Sequence, residues 1–147
     1  VLGKMVEVAL GKEPVFNITG VDWPTRDGSG IRDYIHVWDL ASAHIKAVER
    51  FDDVIRKAGQ PDLPYAVINL GTGNGVTVKE FLAAFEEVYG KVLPVAIKPP
   101  RPGDVAGAYA NADKALELLG WKAELPITDG ISDALKWGEL RENILTF

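Results

Sequence analysis

The chain has 147 residues, 47% hydrophobic and 25% charged, with a net charge of −5 and no Cys. That length and apolar content suit one folded domain and exclude a disordered or collagen-like chain; the missing Cys excludes a disulfide framework, a thiolate zinc site and a cysteine nucleophile, and fits a reducing cytoplasm. The acidic balance argues against a general nucleic-acid surface, and no apolar run approaches a membrane span or follows a charged leader.

The chain opens at Val1, already inside an amphipathic pattern. Leu2, Met5, Val6, Ala9 and Leu10 recur at helical spacing, with Gly11 as the stop. No Ser, Thr, Asp or Asn precedes that run as a cap, so the expectation is a chain shortened from a longer one by trimming or processing. Pro14 to Gly20 reads as a short strand, and the turn formers from Asp22 to Gly30 as an exposed loop. Ile31 to Val37 alternates with period two, which predicts a strand with Ile31, Asp33, Ile35 and Val37 on one face. A helix is expected from Asp39, with Leu40, Ala43, Ala47, Val48, Phe51 and Ile55 as its stripe and Gly59, Gln60 and Pro61 as its end.

Tyr65 to Leu70 is a nearly continuous apolar run closed by Gly71, the pattern of a strand buried on both faces in a parallel sheet. Thr77 and Glu80 form a capping-box pair before a helix carrying Phe81, Leu82, Phe85 and Val88, ended by Gly90. Pro94 to Lys98 predicts another strand, and Pro99 to Asp104 a stiff loop. A helix capped at Asn111 runs to Gly120, and a last helix capped at Thr128 bears Ile131, Ala134, Leu135, Trp137, Leu140 and Ile144. Alternating strands and helices give an α/β chain.

The chemistry-bearing residues are few. The loop Gly71-Thr-Gly-Asn-Gly75 stands where a dinucleotide fingerprint would stand, but Val76 occupies the place after it and no acid follows the next strand to hold a ribose. A tight turn is the expectation. His36 and His44 lie on different predicted elements without acidic neighbours at ligand spacing, so they read as a strand-face and a helix-surface residue. Asp22, Asp27, Asp33 and Asp39 resemble a calcium loop, but Trp23 and Thr25 fill ligand positions. Arg32 follows a Gly-Ser-Gly turn and can project into an opening, while Pro100 and Pro102 restrict Arg101. Fixed guanidinium forks suit phosphate oxygens, and Asp104 beside Arg101 can accept from a ribose hydroxyl. Spacing alone equally allows surface pairs of Arg32 with Asp33 or Asp27 and of Arg101 with Asp104.

The run Trp23-Pro-Thr-Arg-Asp-Gly-Ser-Gly-Ile-Arg-Asp-Tyr-Ile-His-Val-Trp-Asp-Leu-Ala41 resembles a segment of the UDP-glucose 4-epimerases. Ile68-Asn-Leu-Gly-Thr-Gly73, Arg101-Pro-Gly-Asp104, Ala110-Asn-Ala-Asp-Lys-Ala115 and Leu118-Leu-Gly-Trp121 resemble further motifs of that family, in family order from about Val1 to Trp137. These proteins are extended short-chain dehydrogenases with an N-terminal NAD-binding Rossmann domain and a C-terminal nucleotide-sugar domain. The resemblance implies that residues 1–147 form the C-terminal substrate-binding part plus the last Rossmann strand (Tyr65–Leu70) and helix elements, without the NAD domain or the catalytic Tyr-x-x-x-Lys.

The resemblance further implies a cytoplasmic parent enzyme that interconverts UDP-glucose and UDP-galactose in galactose metabolism, through a 4-keto sugar and with NAD bound. Arg32 and Arg101 would hold the diphosphate, Asp104 the uridine ribose, and the strand Asn17–Thr19 the uracil through its backbone. Relatives commonly carry an aromatic residue at Thr19. Ala108 matches a position whose small size would admit UDP-N-acetylhexosamines. The parent is expected to be a homodimer. The isolated segment is expected to be inactive and to self-associate through its exposed Rossmann-strand surface. Alternatives are another nucleotide-sugar dehydratase or decarboxylase of this fold, or a non-catalytic ligand- or protein-binding domain.

Overall fold

A computed structural model describes residues 1–58 and 65–145 of the chain. The elements are α1 (Leu2–Ala9), β1 (Phe16–Thr19), β2 (Ile31–Arg32), α2 (Val37–Glu49), α3 (Phe51–Ala58), β3 (Val76–Thr77), α4 (Val78–Tyr89), β4 (Val95–Lys98), α5 (Asp113–Leu119) and α6 (Ile127–Ile144). They divide into two compact units, one comprising Val1–Arg32, Val76–Gly107 and Pro126–Phe147, the other Asp33–Gly75 and Ala108–Leu125. Among the described residues no helix is long and apolar enough to cross a membrane.

In the first unit α1, α4 and α6 pack on one another, and β1 runs parallel to β4 with Phe16 opposite Val95 and Thr19 opposite Lys98. Met5, Phe16, Ile18, Phe81, Phe85 and Ile131 are buried, each large side chain contributing roughly 1.5–3 kcal/mol by leaving water. The short pair β2–β3 is antiparallel, with Arg32 opposite Val76. The predicted capping box is present: the Thr77 hydroxyl accepts the Glu80 N–H at 3.1 Å, and the Glu80 carboxylate accepts the Thr77 N–H at 2.9 Å. Gly90 closes the same helix at φ +77, a left-handed conformation that glycine adopts without a Cβ penalty.

The second unit is built around Trp121, packed with Ala43, Val54, Ala115, Leu118 and Leu119. The strand predicted over Ile31–Val37 ends at Arg32, and α2 begins at Val37 instead of Asp39. His36 causes this: its Nδ1 accepts the Trp38 N–H at 3.1 Å, satisfying an otherwise orphaned donor of the first turn. His36 is thus a helix cap and not a strand-face residue, whereas His44 is an exposed residue of α2 as expected. Asp39 turns inward, and its Oδ2 accepts the N–H groups of Glu124 at 3.1 Å and Leu125 at 2.9 Å. Losing that carboxylate would orphan two part-buried donors at about 1–3 kcal/mol each.

The single helix predicted from Asp39 is broken into α2 and α3. Asp52 and Asp53 fall in the first turn of α3, where negative charge favours a new helix start. Val48 is 78% exposed, so the predicted stripe is only partly buried. The stop expected at Gly59, Gln60 and Pro61 lies outside the described residues.

Tyr65–Leu70, expected as a doubly buried strand, is extended but joins no sheet. Ala66, Ile68 and Leu70 pack against the Trp121 cluster, while Tyr65 and Val67 are 57% and 67% exposed. A strand exists only through a ladder, and the described residues supply no strand beside it. At α5 the backbone cap is Ala112. Asn111 acts from one place upstream, its Oδ1 accepting the Asp113 N–H at 2.9 Å. Thr128 lies inside α6, which starts behind Pro126 at φ −69, a dihedral that the proline ring itself sets.

The Arg26 guanidinium, paired with Glu80, and then the Thr77 N–H bring the Glu80 carboxyl from 4.5 down to about 2. A folded value below the unfolded one means that the native state binds fewer protons, so this stabilisation is complete above about pH 4.5 and is lost as pH falls towards 2. The urea midpoint is expected to drop across that window, and to drop less steeply in Glu80→Gln.

A candidate nucleotide cleft in the first unit

The first unit holds a cleft of about 710 Å³, within the range of small-molecule sites, lined by Asn17, Thr19, Val78, Lys98, Arg101 and the prolines at 99, 100 and 102, among others. A smaller recess of about 80 Å³ shares Thr19, Val78 and Arg101 and adds Trp23, Gly30, Arg32, Asp104 and Val105.

One wall is the edge of β1. The Phe16 N–H donates to Pro94 O at 2.8 Å and the Gly20 N–H to Lys98 O at 2.9 Å, so the even-numbered residues bond toward β4. In a parallel pair alternate peptide groups point to opposite edges, which leaves those of Asn17 and Thr19 facing away from β4. Among the described residues β1 has no other strand neighbour. That edge offers a donor and an acceptor to a planar group with an amide-like face.

The loop from Asp22 to Gly30 positions Arg32. Asp27 Oδ1 accepts the Ser29 N–H at 2.8 Å and the Ser29 hydroxyl at 2.7 Å, and its Oδ2 accepts the Thr77 hydroxyl. Lys79 Nζ donates to Asp27 O at 2.7 Å, and the Val78 N–H to Gly30 O at 2.9 Å. The loop is therefore bound to the start of α4 immediately before Arg32. The guanidinium of Arg32 donates from Nη1 to Ile31 O at 2.6 Å and to Ala106 O at 3.3 Å. It pairs with neither Asp33 nor Asp27, whose oxygens are engaged elsewhere, so its charge and its remaining donors face the recess.

The other surface pair anticipated from spacing does form. Arg101 Nε lies 3.3 Å from Asp104 Oδ2, and the Arg101 N–H donates to the same oxygen at 3.0 Å. These bonds, with the charges of Arg101 and Arg32, hold the Asp104 carboxyl below the usual range. The pair is a closed turn that presents one cation and one ionised acceptor side by side.

The structure thus brings Thr19, Arg32, Arg101 and Asp104 to one recess and places Asn17 in the adjoining cleft. Ala108 is exposed in the second unit and lines neither space. Lys98, Trp23 and Val78 line the site although spacing does not single them out as site residues; Lys98 enters through the β1–β4 register, which no local pattern displays. Gly71-Thr-Gly-Asn-Gly75 is a turn closed by Asp33, whose Oδ1 accepts the Thr72 N–H at 3.0 Å and whose Oδ2 accepts the Ala110 N–H at 3.1 Å. A Cβ on Gly71 would stand 2.3 Å from that carboxylate. Among the described residues no acidic or His cluster is arranged to hold a metal.

The Asp104 carboxyl is expected to titrate below the ordinary 3.8 when followed by carbon-detected NMR. Arg101→Ala should move it only part of the way back, because the backbone donor remains.

No protein-family model matches the chain. UDP-glucose 4-epimerase 3 of Oryza sativa subsp. japonica is 48% identical over 133 residues, which are 90% of this chain and 34% of the rice protein. The crystal structure of UDP-glucose 4-epimerase from Bifidobacterium longum in complex with NAD+ and UDP matches with a TM-score of 0.83 at 40% identity, covering 99% of this chain and 40% of that one. The Stenotrophomonas maltophila enzyme with bound NAD and formylated UDP-arabinopyranose matches with a TM-score of 0.86 at 39% identity, covering 98% and 40%. The chain spans about a third of the length of the curated relatives it matches. By sequence and by fold, this α/β chain is similar to about a third of a UDP-glucose 4-epimerase.

Proposed function

We propose that the chain is the C-terminal, UDP-sugar-binding part of a UDP-glucose 4-epimerase, which interconverts UDP-glucose and UDP-galactose. The observation that carries this reading is the convergence of Arg32, Arg101 and Asp104 beside Thr19 in one recess. Two guanidinium groups lining one recess suit the two phosphates of a nucleoside diphosphate, and the ionised Asp104 suits a ribose hydroxyl. The open edge of β1 at Asn17 and Thr19 suits the imide face of uracil. None of these groups stands as an acid or base; they tether UDP while the sugar beyond it is free to turn.

NAD chemistry belongs elsewhere in the parent enzyme. The glycine-rich turn Gly71-Thr-Gly-Asn-Gly75 is closed by Asp33 and does not fit the cofactor. We place NAD in a Rossmann domain outside residues 1–147, so this segment alone is inactive. The parent acts in the cytoplasm as a homodimer. In isolation the segment self-associates through apolar side chains left exposed in its second unit, among them Trp38, Val48, Tyr65 and Val67.

Isothermal titration of UDP into the chain is expected to show binding that Arg32→Ala and Arg101→Ala each weaken roughly tenfold or more, the usual worth of a hydrogen bond to a charged group. Unchanged affinity in both variants overturns the reading. Ala108 carries only a methyl group, so an enzyme with this segment is expected to turn over UDP-N-acetylglucosamine as well as UDP-glucose. Ala108→Tyr should lose the first activity selectively in a coupled assay.

A further inference from the structure

The β1–β4 register sets Lys98 directly beside Thr19. Register partners carry their side chains on the same face of a pleated pair, and Thr19 and Lys98 both line the main cleft. Burial assigns the faces: Phe16 and Ile18 are in the core, which turns Asn17 and Thr19 to the cleft side. Neighbouring strands lie about 4.8 Å apart, within reach of the flexible four-carbon stem of a lysine. Lys4 is held by Glu7 and Glu13 and Arg101 by Asp104, whereas Lys98 pairs with no carboxylate among the described residues. Lys98 also lies outside the recess of Arg32 and Asp104, in the part of the main cleft that Asn17 and Thr19 line.

We propose that Lys98 reads the base: its ammonium, reaching over Thr19 on the cleft face, donates to the 4-carbonyl oxygen of the pyrimidine held beside β1, which makes it a specificity-determining residue for uridine over cytidine nucleotides. This rests on the reading of the cleft as a UDP site. A lysine has three donors and no acceptor. Uracil presents a carbonyl oxygen where cytosine presents an amino group, so cytosine sets donor against donor and leaves both without a partner. Sites that hydrogen-bond a ligand group reject the analogue lacking it, because their own polar atoms are then left unpaired.

Titrations of UDP and CDP into the wild-type chain, Lys98→Met, Lys98→Arg and Arg32→Ala test the assignment, with circular dichroism confirming the fold of each. The wild type is expected to prefer UDP by about tenfold or more. Lys98→Met should lose most of that ratio through weaker UDP binding alone, and Lys98→Arg, which keeps a donor, should retain it. Arg32→Ala should weaken both nucleotides alike, since they share the diphosphate. A ratio unchanged in Lys98→Met, or UDP and CDP weakening together there, overturns base readout. Arg32→Ala without effect, while Lys98→Met still lowers the ratio, strikes only the diphosphate assignment. A folded wild-type chain that binds neither nucleotide overturns both.

Discussion

The carboxylate of Asp27 is the constraint on which the candidate site depends. It binds the Ser29 N–H, the Ser29 hydroxyl and the Thr77 hydroxyl, and Ser29 and Thr77 are fully buried. Thr77 is at the same time the cap of α4, so one oxygen atom donates to Asp27 and accepts from Glu80. A glycine-containing loop is thereby fastened to the capped first turn of a helix. Arg32 follows that fastening by a few residues, so its guanidinium approaches the recess on a fixed backbone. Hydrogen bonds between a carboxylate and buried donors are stronger than neutral ones, and leaving them unmade is costly. That asymmetry makes such a joint specific as well as stabilising.

The same device recurs in the second unit. Asp33 gathers Thr72 and Ala110, and Asp39 gathers Glu124 and Leu125. In each case a carboxylate draws together backbone segments far apart in sequence and satisfies donors that have no helix or sheet partner. Asp27, Asp33 and Asp39, three of the four acids that resemble a calcium loop in sequence, thus accept the chain's own N–H groups. The close approach of the backbone at Gly71 likewise serves Asp33.

The electrostatics of the recess follow from what each arginine already holds. Arg101 is tied to Asp104 and gives the turn its shape. Arg32 is held by two main-chain carbonyls, which orient the guanidinium without neutralising it. An anion entering the recess therefore meets one cation that makes no direct ion pair and another that is paired with an ionised carboxylate.

Much of this was legible in the residues themselves. The capping box at Thr77 and Glu80, the glycine stop at Gly90, the strands at β1 and β4 and the family motifs around Arg32 and Arg101 are local patterns, set by φ preferences, side-chain period and short-range hydrogen bonds. Tertiary structure decided the rest. His36 became a cap because a helix N–H needed an acceptor there, and Asp39 was drawn inward by a segment far along the chain. Tyr65–Leu70 has the apolar run of a buried strand, yet hydrophobicity cannot supply the neighbour that a ladder requires. Lys98 joined the cleft only when β4 paired with β1 in one register. Local sequence determines what a segment can become; which partner it meets is fixed by non-local pairing and burial, and neither is written in the spacing of its own residues.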